Sequence, residues 1–149
     1  MAKASCVYVV HIASRPEAVW RALPEGEFTR QYWGGDNLSD WLPGSAWEHR
    51  TSGTPRTVAV LGVVQEAKAP HRLVLTWAAP VDRDDRDRHS RVTFEIEPVA
   101  NMVRLTVTHD QLEPGSDMQR KISQGWPRVL SSLKSLLETG RALDTWAGP

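Results

Sequence analysis

The sequence predicts an α+β fold: an antiparallel meander of about six to seven strands, with its apolar face covered by one long helix at the C-terminal end. Two observations carry this expectation. Between Asn37 and Gln111 the chain alternates apolar and polar residues with a period of two, in segments separated by Pro, Gly, Asn or charged clusters, as antiparallel strands with one buried face do. From Met118 to Leu137 the apolar residues instead recur at spacings of three and four, which is the stripe of a helix pressed against a partner.

The elements follow in order. Val7 to Ala13, VYVVHIA, is rich in β-branched residues and reads as a first strand, after which Ser14 and Pro16 signal a helix start. The helix RPEAVWRAL puts Val19, Trp20 and Leu23 on one side, Pro24 and Gly26 break it, and EFTRQYW forms a second short helix ended by Gly34 and Gly35. Strands are expected at Asn37 to Asp40, Ala46 to Thr51, Thr57 to Ala67, Arg72 to Ala78, Arg91 to Glu97 and Val103 to Asp110. In the last two, Val92, Phe94 and Ile96 share a face, as do Val103, Leu105, Val107 and His109.

The C-terminal stripe comprises Met118, Ile122, Trp126, Val129, Leu130, Leu133, Leu136 and Leu137, backed by Arg128, Ser131, Ser132, Lys134, Ser135 and Glu138. Pro127 has no amide to donate, so a break or kink is expected near Gly125, between a short helical segment and the long one. Gly140 is placed as a C-terminal cap, and residues 141–149 read as a loosely held tail to a single domain with its core at about 6–140.

Composition excludes several function classes. Lys plus Arg and Asp plus Glu are 18 each, for a formal net charge of zero, so nothing in the overall field points to nucleic acid or an anionic membrane. The single cysteine, Cys6, allows no internal disulfide and reads as a small buried hydrophobe. Neither a signal peptide nor a membrane span is legible, so a cytoplasmic location is expected. The five histidines are scattered and show no helical ligand spacing, so no metal site and no cofactor are expected; no nucleophile elbow or phosphate loop is present either, so no catalytic residue is assigned. The run VDRDDRDRHSR mixes acids with arginines that would repel a cation; it reads as a solvated hairpin loop whose charge also guards the sheet edge.

The phrases HIASRPEAVWRAL, EFTRQYWGG, SDWLPGSAWEHR, HRLVLTW, RVTFEIEP, VRLTVTHD and GWPRVLSSLKSLLETG, taken together and in this order, resemble the bacterial members of the family named after the activator of Hsp90 ATPase. That family sits within the START-like, Bet v 1-like superfamily, and the resemblance runs from about Cys6 to Gly140. It implies a helix-grip fold, a curved antiparallel sheet wrapped around the C-terminal helix, with two short helices after the first strand. Relatives in the superfamily bind lipids, hormones or polyketides, and some cyclise or dehydrate polyketides. The eukaryotic co-chaperones of the family use a further N-terminal domain for which this chain has no room. The resemblance therefore implies a cavity more than a reaction.

Candidate site residues come from the expected concave face. Seven tryptophans stand against two Phe and two Tyr, and Trp33, Trp41, Trp47, Trp77 and Trp126 fall at or near the ends of elements facing the groove. Their ordinary reading is packing in the core, as aromatic stripes usually serve; the sharper one is that they wall an apolar pocket, with indole N–H groups offered to a ligand. Trp20 is assigned to the core and Trp146 to a tail contact. His109 reads first as a partly buried histidine bonded to backbone or a polar neighbour, and second as a group that orients a ligand or acts as a base; His49 is a further polar point in the cavity, and Phe94 and Leu130 complete the expected lining. The first expectation is a monomer or weak homodimer that binds an apolar or aromatic small molecule. The rivals are an enzyme of polyketide cyclase or dehydratase type with His109 as acid or base, and a co-chaperone-like interaction module.

Overall fold

The computed structural model describes residues 2–143, and Trp146 lies outside them. The order is β1 (Ala4–Ile12), α1 (Pro16–Ala22), α2 (Gly26–Tyr32), β2 (Gly35–Ser39), β3 (Ala46–Thr51), β4 (Val58–Lys68), β5 (Arg72–Trp77), β6 (Ser90–Val99), β7 (Met102–Leu112) and α3 (Asp117–Thr139). The seven strands form one antiparallel sheet in the order β1-β7-β6-β5-β4-β3-β2. This is the helix-grip arrangement, with α3 lying along the concave face. No helix among the described residues is long and apolar enough to cross a membrane.

The alternation read from the sequence decides which face is buried. Val92, Phe94 and Ile96 of β6 and Val103, Leu105 and Val107 of β7 are all buried, and they meet Ile122, Trp126, Val129, Leu130, Leu133 and Leu136 of α3. On the opposite face Arg91 and Asp110 pair across the two strands, with Nη2 2.6 Å from Oδ2.

Two glycines are dictated by close approach. A side chain on Gly62 of β4 would meet the Thr76 carbonyl oxygen at 1.9 Å, and one on Gly35 would meet the Arg50 carbonyl oxygen at 2.2 Å. At the first of these points the indole of Trp47, paired opposite Gly62, donates to that same Thr76 carbonyl at 2.8 Å.

Helix α3 is fixed at both ends. Ser116 Oγ accepts from the Gln119 amide at 3.1 Å, Gln119 Oε1 accepts from the Gly115 amide at 2.6 Å, and Gly140 closes the helix with φ 82°. Toward its C-terminal end, Lys134 Nζ donates to the His11 carbonyl at 2.5 Å and Glu138 accepts from the Ala13 amide at 2.8 Å, tying the helix to the end of β1.

Four expectations are corrected. The helix does not break at Pro127: it runs unbroken through 23 residues, because Ile122, Trp126, Val129 and Leu133 on both sides of the proline bury the same stripe. Arg15, not Ser14, occupies the N-cap position of α1, since the Ser14 amide is engaged in a turn to the Ile12 carbonyl at 2.8 Å. Ser132, placed on the polar side, is fully buried and accepts from the Leu143 amide at 3.2 Å. The charged run Val81–Arg91 guards no edge, because it joins β5 to β6 in the middle of the sheet; the edges are β1 and β2.

Candidate functional site

The two halves of α3 meet the sheet differently. The C-terminal half is packed shut by Leu130, Leu133 and Leu136. The N-terminal half stands away and leaves a cleft of about 510 Å³, within the range of small-molecule pockets. Its walls are Met118, Ile122, Trp126 and Val129 from α3, Val60 and Trp77 from the sheet, and Trp33 from the end of α2. Gly125 opens it further, since a Cβ there would find nothing within 4 Å.

Three of the predicted tryptophans meet around this cleft. Trp33 stacks on Trp77 with centroids 6.0 Å apart at 18°, and both lie 5.4 Å from Trp126. Their indole N–H groups are not equally free. Trp77 donates to Met118 Sδ at 3.3 Å and Trp126 to His109 Nδ1 at 3.0 Å, whereas Trp33 Nε1 makes no hydrogen bond to the described residues.

His109 lies behind this wall, wholly buried. Because Trp126 donates to Nδ1, the ring proton sits on Nε2, which donates to Ser90 Oγ at 2.8 Å; that hydroxyl in turn donates to the Trp77 carbonyl at 3.1 Å. Every polar atom of the relay is satisfied, and desolvation, partly opposed by the Asp110 carboxylate, pushes the imidazole pKa down to about 4. The group is a neutral strut that sets the angle of Trp126, with no nitrogen left for a substrate.

His49 does line the cleft, at 5.1 Å from the Trp33 ring. It is 5% exposed, and Nδ1 lies 2.7 Å from Asn37 Oδ1. Burial drives its pKa down to about 4, with the nearby Asp36 carboxylate pulling the other way.

The remaining predicted residues lie elsewhere. Trp41 and Trp47 pack on each other at 6.4 Å under β2 and β3, Phe94 sits edge-on behind Trp126 at 5.8 Å, and Leu130 belongs to the closed half of the helix. Trp47 borders a second depression, of about 740 Å³, where Asp40, Glu48, Arg83, Asp84 and Arg86 set charges of both signs among Leu38, Leu61 and Val63, a wall about as polar as it is apolar. The cleft under α3 is the better small-molecule site on that chemistry.

Asn37 and Gly125 were not among the site residues expected from the sequence, where they marked a strand start and a helix break. Gly125 had a readable signal, a glycine on the apolar stripe of a helix, where it costs about 1 kcal/mol relative to Ala. Asn37 had none, since its importance depends on tertiary contact with His49.

Truncating Trp126 tests the packing of this wall. Trp126→Ala is expected to lose about 3 kcal/mol, the low end for a buried aromatic because one face already borders open space. Trp126→Phe should lose about 1–3 kcal/mol, since it keeps most of the contact and orphans His109 Nδ1. Urea unfolding midpoints measure both.

Comparison with known proteins agrees with the fold. The chain resembles the Aha1 dimer of Colwellia psychrerythraea at 20% identity, covering 93% of this chain and 99% of that one, with a TM-score of 0.78. It resembles PFC0360w, an Hsp90 activator of Plasmodium falciparum, at 23% identity over 89% and 95% of the two chains, TM-score 0.73. CalU16 of Micromonospora echinospora is similar at 16% identity over 93% and 78%, TM-score 0.72. At these identities the likeness is one of fold. Among curated proteins none matches. Residues 13–138, from the turn before α1 into the last turn of α3, match the family described as Activator of Hsp90 ATPase homolog 1-like protein, and the chain belongs to that family.

Proposed function

We propose that the protein binds an apolar or aromatic small molecule in the cleft between the sheet and the N-terminal half of α3. The observation that carries the reading is the combination of three tryptophans, Ile122 and Val129 around about 510 Å³ of open space, with Gly125 left without a side chain where one would fit. Stacking on the indoles would supply most of the affinity for a flat ligand. Catalysis finds no support at His109, whose two nitrogens are both engaged. An interaction role is favoured by the fold shared with the Plasmodium falciparum Hsp90 activator, and copurification of a protein partner without ligand binding would be its mark.

Plugging the cleft tests the reading. Gly125→Ala should raise stability by about 0.5–1 kcal/mol, because it removes a helix-interior glycine into free space. Gly125→Phe should fold as well as the parent and lose binding of a naphthalene fluorophore by at least about tenfold, as expected when a pocket of this size loses a ring's worth of room. Equal binding by the parent and Gly125→Phe would move the ligand elsewhere.

A further inference from the structure

Thr51, Lys121 and Arg128 line the cleft toward solvent, and its one buried polar residue is His49, whose chemistry is fixed by the hydrogen bonds behind it. Asn37 Nδ2 donates to the Leu23 carbonyl at 3.1 Å, an oxygen that can only accept. The amide is thereby oriented, and Oδ1 is the end that faces His49 Nδ1 at 2.7 Å. The Asn37 backbone N–H donates to Thr29 Oγ1 at 3.0 Å, which fixes the backbone from which this side chain projects. His49 Nδ1 must carry the ring proton, and Nε2 is a bare lone pair.

Among the described residues nothing uses that lone pair. His49 is 5% exposed and has no hydrogen bond at Nε2 among the described residues, yet this atom is not sealed in protein as His89 Nδ1 is. The residue next to it is Gly35, where a side chain would come within 2.8 Å of Nε2 and cover it. The His49 side chain lines the cleft, with its ring beside that of Trp33.

We infer that the ligand of this cleft carries a neutral hydrogen-bond donor, a hydroxyl or N–H on an apolar aromatic frame, which it gives to His49 Nε2. The inference rests on the ligand-binding reading above and narrows it to a class: phenols, hydroxylated polycycles, indoles and similar donors. A purely apolar ligand covering Nε2 would strand a buried acceptor, and a carboxylate set against it would bring two acceptors together; either costs roughly 5- to 150-fold in affinity. Asn37 acts through His49 as a positioning residue.

The test compares 2-naphthol with 2-methoxynaphthalene at pH 7, which share a ring system and differ in the donor. Binding is followed by tryptophan fluorescence, and the imidazole nitrogens of His49 by long-range ¹H–¹⁵N spectra. The inference expects naphthol to bind at least about fivefold tighter, as one buried acceptor left unpaired implies. It also expects the His49 Nε2 signal to move with naphthol and not with the ether, and the preference to vanish in His49→Phe. Equal affinities, or a preference that survives in His49→Phe, would overturn the donor inference and leave the cleft standing. Failure of both compounds to bind would take down the cleft reading and the inference with it. Should His49→Phe not fold, the Nε2 signal of the parent protein decides: a shift with naphthol alone supports the inference, and no shift overturns it.

Discussion

Leu133→Asp is expected to leave no folded protein at neutral pH. Leu133 is fully buried in the closed half of α3, surrounded by the sheet residues that the helix covers. Loss of the leucine alone would cost about 2–5 kcal/mol, and an ionised carboxylate in this apolar core adds a desolvation penalty of several kcal/mol more. Small domains hold only about 5–15 kcal/mol in total. Ser131→Asp, two residues away on the exposed side of the same helix, should change stability by no more than about 0.5 kcal/mol. Far-ultraviolet circular dichroism and urea unfolding of the pair check this, and a Leu133→Asp protein that melts like the parent would contradict the packing of α3 on the sheet.

Acid is expected to act nearly as strongly, through two histidines. His49 and His109 are buried and neutral, each with its pKa lowered by desolvation from 6.5 to about 4. The sign follows from proton counting. Between pH 6.5 and 4 the unfolded chain takes up a proton at each ring while the native state refuses it, so stability is full above pH 6.5 and falls as the pH drops toward 4. Each ring contributes about 3 kcal/mol at most, so the two together approach the whole stability of a small domain. Urea midpoints measured between pH 7 and 4.5 should fall steadily. The slope should be shallower in His109→Gln, and a flat profile in the parent would mean that the rings are solvated.

Both predictions depend on which parts of the molecule local pattern can specify. The sheet and α3 were legible because their periods differ: Val92, Phe94 and Ile96 alternate, while Ile122, Trp126, Val129 and Leu133 follow helical spacing, and each pattern admits one buried face. Pro127 was misleading because a local rule about one missing amide met a continuous buried stripe, and the stripe prevailed. The charged run Val81–Arg91 was set at an edge because strand order across the sheet is not written in any one segment.

The site was legible in part for a related reason. Alternation tells that Trp47, His49, Phe94 and His109 face inward, and it says nothing about how far along the sheet the helix lifts away. Where α3 lifts, His49, Trp33, Trp77 and Trp126 border open space. Where it presses down, or where another strand intervenes, Phe94, His109, Leu130 and Trp47 are packed. The hydrogen bonds that fix His49 and His109 join residues 12 and 19 positions apart, beyond any local spacing rule.

The central claim, that the helix grips an open cleft, is tested most directly by following the tryptophan indole signals of the ¹⁵N-labelled protein while a panel of aromatic and apolar compounds is titrated in. Saturable shifts of the Trp33, Trp77 and Trp126 signals, with Trp41 and Trp47 left in place, are the predicted result. Indoles that stay still across the whole panel would mean that the cleft does not take up such molecules, and would contradict the account.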